Sequence, residues 1–211
     1  MVAGVLIIPV VGHPDIFEAT LAHAALGTGL WVPMHAGLVV AVILSLVGLL
    51  GLYAGHADRL GRVGAVGFAL AVPGLVLAAC AFYWEAFLLP VIARHAPGTF
   101  AWNGPVVGSW AVVASGSLAA LWFIGLALLG LALWRSGLVP AGAALTLAVG
   151  AVAFALLAGP FVPVLGPLSV VAFAAGHVWV GAALRAGAAR QAADPRPGRR
   201  GPSDEVPRQP G

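Results

Sequence analysis

Residues 63–90, VGAVGFALAVPGLVLAACAFYWEAFLLP, hold a single charged side chain, Glu85. At about 1.5 Å of rise per residue, this stretch is longer as a helix than the roughly 30 Å hydrocarbon core of a bilayer. Its small residues are also ordered. Gly67, Ala71, Gly74, Ala78, Ala81 and Glu85 recur every three or four positions, which lines them up along one face of a helix. Small-residue faces are how membrane helices bring their backbones together, because lipid offers no hydrophobic drive between them. The reading is therefore a membrane span with a packing face. Its length calls for tilt or a kink, placed at Pro73-Gly74.

The rest of the chain has the same character. Of its 211 residues, 61% are hydrophobic and 8% charged, and the mean hydropathy is +1.03. So little charge cannot cover a soluble globule, and so much apolar content excludes disorder over most of the length. Further runs of spanning length are expected at 31–53, 106–134, 139–159 and 167–184. The opening MVAGVLIIPVVG lacks the basic start and small-residue cleavage site of a signal peptide. It reads as part of a first helix that is short or begins upstream of Met1. The expected fold is an all-α, polytopic transmembrane helical bundle over residues 1–185, with about five full spans and that short or truncated first helix. From 186 to 211 the Pro, Gly and Arg content predicts a disordered basic tail.

Charge gives orientation. All 10 basic residues are arginine and form no stripe, so nucleic acid is not an expected partner. Arg59, Arg62, Arg135 and the arginines from Arg185 onward fall on one side, and Arg94 on the other. The positive-inside rule puts the C-terminus in the cytoplasm of a bacterial plasma membrane. Trp110 and Trp134 suit the two interfaces, while Trp122 falls between them. Cys80 is the single cysteine, so neither an intramolecular disulfide nor a CxxC motif is available, and its apolar run reads as packing.

Ionisable groups within a membrane are costly, so each is a candidate for function. Counted along their helices, His35 and Glu85 each lie about 30 Å from the cytoplasmic end, at one level. Glu85 reads either as an inward-facing carboxyl paired with His35, His95 or Arg94, or as an interfacial carboxylate capped by solvent or Arg94. With His35 it is the candidate catalytic pair, Glu85 acting as a general acid. His35 points away from Gly37, Ala41, Ser45 and Gly48, the small-residue face of its helix. His13, Asp15, Glu18, His23 and His95 also gather at the outer rim; with His35 and Glu85 they are the candidate metal ligands, though without a recognised spacing. His177 shares a helix face with Ala174 and Gly181, and its expected partner is Ser115 or Ser117. It lies about 18 Å from the level of His35, which excludes a bis-histidine haem. No cofactor is expected.

The order HPD at residues 13–15, Trp31-x-x-x-His35, GLLGLY at 48–53, Gly61/Gly64/Gly67 and EAFLLP at 85–90 resembles small multi-pass bacterial membrane proteins of about six helices, common in high-GC genomes. The resemblance covers residues 8–185. It implies no established activity, but it does imply that His13, His35 and Glu85 belong to one pattern. Three functions are consistent with the sequence. The first is a protein acting through helix packing with lipids, membrane partners or further copies of itself. The second is an intramembrane enzyme with an outward-facing Glu/His pocket for a lipophilic substrate. The third is a small oligomeric transporter.

Overall fold

The second and third expected helices form one hairpin. In the computed structural model, which describes residues 29–96, 109–158 and 164–193, helix α1 is assigned as Trp31–Tyr83. Its backbone leaves helical geometry at His56 (φ −142°, ψ 15°) and at Gly61 (φ 60°, ψ −160°). The Gly61 dihedrals lie in a region open in practice only to glycine. Two arms result, 31–55 and 62–83. Tyr53 stacks on Phe68 near the turn, with ring centroids 4.0 Å apart. At the far end Trp31 bonds to Glu85, so the arms run antiparallel. The turn between them carries Asp58, Arg59 and Arg62, residues that suit water and not lipid.

Pro73 stays within helical backbone. In this run the departures from α-helical geometry are the break at His56–Gly61 and a π-helical turn, Trp84–Leu88, that leads into α2, Leu89–His95.

The remaining described elements are α3 (Trp110–Ala119), α4 (Leu121–Ser136), α5 (Ala141–Ala153), a π-helical turn (Phe154–Ala158) and α6 (Leu165–Ala193). Ser109 caps α3 by accepting a bond from Val112 N–H. Gly137, at φ 63°, ends α4 in the left-handed conformation that glycine adopts without strain. Among the described residues helix dominates and no strand occurs. Three runs are long and apolar enough to cross a membrane: Trp31–His95, Trp110–Ser136 and Leu165–Arg190; Ala141–Leu157 is a shorter apolar helix. This is fewer than the five spans expected, because two of those share the first run and one is short. The expected first helix lies outside the described residues. Helix α6 continues to Ala193, past the expected boundary at 186, and the Ala/Arg-rich 186–193 suits a helix.

Glycines set the interfaces. The second arm and α4 pack so closely that a Cβ added to Gly125 would lie 2.4 Å from the Ala71 nitrogen. One added to Gly74 would lie 2.4 Å from the Trp122 nitrogen. Gly130 does the same between α4 and α5, and Gly150 and Gly176 between α5 and α6. The expected packing face of residues 67–78 is thus the one used. Trp122, which falls between Trp110 and Trp134, is a core residue against Gly74, edge-on to Phe173.

The first arm departs from this pattern. Trp31, Met34, His35, Leu38, Val42 and Leu49 are buried, a seam of large side chains at coiled-coil spacing. Gly37, Gly48, Gly51 and Gly55 are exposed, with nothing within 4 Å of an added Cβ. Gly125→Val is expected to lower the thermal midpoint in detergent, overpacking costing about 1–3 kcal/mol. Gly51→Val is expected to leave it unchanged; equal effects would contradict the packing described.

Candidate functional site

The site begins with a backbone carbonyl. In the π-helical turn Leu89 N–H donates to the Trp84 carbonyl, five residues back. The Glu85 carbonyl thereby loses its α-helical donor. Its alternative donor, five residues on, is Pro90, which has no N–H. A backbone acceptor left alone in hydrocarbon costs several kcal/mol. Trp31 of the first arm supplies what is missing, its indole Nε1–H donating to Glu85 O at 2.8 Å.

The same tryptophan orients the histidine. Trp31 and His35 are one helical turn apart, and their rings stack with centroids 4.1 Å apart and planes 27° from parallel. His35 Nδ1 lies 2.9 Å from the Trp31 carbonyl. A carbonyl can only accept, so Nδ1 carries a hydrogen and donates it. That fixes the remaining nitrogen as the one that exchanges protons. His35 Nε2 stands 3.5 Å from Glu85 Oε2. The His35 side chain is 4% exposed and the Glu85 side chain 36%, so histidine is the inner member of the pair and glutamate the outer.

With no proton between them, the pair keeps the negative charge of the carboxylate. With one, it is either an imidazolium with a carboxylate or an imidazole with a carboxylic acid, and sums to zero charge both ways. Buried charge is tolerated in such a form because each state brings its own compensation. The half-exposed Glu85 is the side from which a proton can be given or taken.

The expected level-sharing of His35 and Glu85 is therefore observed, as is His35 among the three partners proposed for Glu85. Arg94 and His95 stand exposed on α2, outside ion-pair distance of Glu85. The expected stripe does not reach Glu85 unbroken. Ala78 is buried but Ala81 is exposed, and the π turn adds a residue that rotates the helix beyond it. Glu85 consequently meets the first arm and not α4. Among the described residues no group of three His, Cys, Asp or Glu side chains gathers to hold a metal. Of the metal candidates, His13, Asp15, Glu18 and His23 lie outside the described residues.

His177 does not meet the serines. Its Nδ1 lies 2.9 Å from the Phe173 carbonyl of its own helix, and its ring packs edge-on to Phe173. Ser115 and Ser117 are exposed and donate to Val112 O and Val113 O one turn back. A serine can satisfy itself on its own helix this way, which removes the need for a partner across the bundle. Two residues escaped the sequence reading. Ser169 is buried and donates to Gly166 O at 2.6 Å. Trp31 was visible only as part of Trp31-x-x-x-His35; Pro90, five residues past Glu85, was the signal that a carbonyl there needs an outside donor.

No protein-family model, curated protein or solved structure matches the chain. Trp31→Phe keeps the ring but deletes the indole donor, so it is expected to destabilise the protein by about 1–3 kcal/mol. Pro90→Ala returns an N–H to position 90. In that background the Trp31→Phe cost is expected to shrink, and strictly additive effects in a thermal double-mutant cycle would contradict the account of the Glu85 carbonyl.

Proposed function

We propose that the chain is a multi-pass integral membrane protein of a bacterial plasma membrane that works through helix packing with lipids, membrane partners or further copies of itself. One observation carries this reading. Among the described residues the buried polar side chains are His35 and Ser169, while large apolar side chains are exposed on every one of the longer helices. Such a body presents its apolar surface outward and keeps its interior dry. Reading each hairpin arm as a span, and the short 141–157 segment as another, would make the three candidate spans five crossings. Arginine sidedness supports a cytoplasmic C-terminus.

A transporter finds less support. Ser115 and Ser117 face outward, and His177 sits among aromatic side chains, so they outline no polar path across the bundle. The enzyme reading has one observation in its favour, the oriented His35–Glu85 pair with its glutamate half exposed. In that reading Glu85 would protonate a lipophilic substrate and His35 would return the proton.

The test is purification of the full chain in mild detergent, followed by native mass spectrometry and metal analysis. Retained lipid or self-association, with no stoichiometric metal, is the expected result. A lipid-free monomer would overturn the packing reading. A retained lipophilic molecule that Glu85→Gln releases, with unchanged thermal stability, would move the assignment to the enzyme.

A further inference from the structure

The contacts gather charge at one end of the bundle. Arg59 Nη2 donates to the Ser136 carbonyl at 3.2 Å, joining the hairpin turn to the last turn of α4, which carries Arg135. Arg62 follows one turn later on the second arm. Helices α5 and α6 are antiparallel, since Gly150 faces Phe173 while Gly142 faces the Trp179 ring. Arg185 therefore comes level with the start of α5, beside the turn after Arg135, and Arg190 lies beyond it.

Among the described residues, five arginines of three separate segments thus share this end with one carboxylate, Asp58, and all six side chains are exposed. Among the described residues the ion pair within 4.0 Å is His35–Glu85, at the opposite end, and no described carboxylate lies within that distance of these guanidinium groups. Arg59 spends part of its donor fork on a helix C-terminal carbonyl, which holds it at the bundle edge with its other N–H groups outward. Just inside this end Trp134 and Trp179 are exposed, the position of an interfacial aromatic belt.

We propose that the turn carrying Arg59 and Arg62, together with Arg135, is a seat for the phosphodiester headgroup of an anionic phospholipid. The lipid's acyl chains would lie along the exposed apolar surface beside Trp134. That apolar surface directly below the charge is why the occupant is a lipid and not a free phosphate. The proposal rests on the reading of the chain as a membrane protein.

Full-length protein in mild detergent is offered phosphatidylglycerol and phosphatidylcholine in equal amounts, and retained lipid is read by native mass spectrometry. Wild type is expected to retain phosphatidylglycerol preferentially, and added salt to weaken the preference. Arg59→Gln or Arg135→Gln is expected to weaken it about five-fold each, and the pair about twenty-five-fold. Arg94→Gln, at the other end, is expected to leave it unchanged. Arg59→Lys, which keeps the charge, is expected to retain most of the lipid and so separates charge from folding. Equal retention of the two lipids, an unaffected double variant, or displacement of the lipid by millimolar inorganic phosphate would overturn the seat. Release of the chain from membranes by an alkaline wash would instead overturn the membrane reading itself.

Discussion

The close approach of the second hairpin arm to α4 sets the positions of most other elements. Helices in lipid gain nothing from hiding apolar side chains from one another, so they must gain from dispersion at short range. Gly67, Gly74 and Gly125 permit that range by leaving backbone against backbone. Once α4 is held there, its Gly130 sets α5, and Gly150 of α5 sets α6. The order of packing matches the order of the chain. Aromatic side chains fill what the glycines leave open, with Trp122, Phe123, Phe154 and Phe173 meeting where α4, α5 and α6 converge.

The first arm obeys a second constraint, that every backbone polar group in hydrocarbon needs a partner. The π turn and Pro90 create a carbonyl with no donor of its own, and Trp31 answers it from the other arm. This bond registers the far ends of the hairpin much as Gly61 registers the near ends. The candidate site is a by-product of that registration. Trp31 is held by Glu85, His35 is held by Trp31, and the imidazole is thereby delivered to the Glu85 carboxyl.

Much of this was legible in the sequence, and the rest failed for identifiable reasons. Helical class came from composition and run length. The face of residues 67–78 came from spacing, and the shared level of His35 and Glu85 from counting rise. The face ends before Ala81, which is exposed within α-helix, and counting at 3.6 residues per turn fails beyond it, where residues 84–88 form a π turn. The small-residue rule failed on the first arm, where large side chains at coiled-coil spacing form the seam and the glycines face outward. Partners for Ser115, Ser117 and His177 failed because a hydroxyl or imidazole one turn from its own carbonyl needs nothing from across the bundle.

The pairing of His35 with Glu85 also bears on how the hairpin enters the bilayer. In the proposed orientation, the arginine-bearing turn stays on the side of synthesis, and the end that crosses carries His35 and Glu85. Moved singly, either would bring a charge or an unmatched polar group through hydrocarbon. Moved together as one antiparallel unit, already clasped through Trp31, each is the polar partner of the other. The contact between His35 and Glu85 would thus lower the barrier to assembly, and would favour entry of the two arms as a pair over entry one after the other.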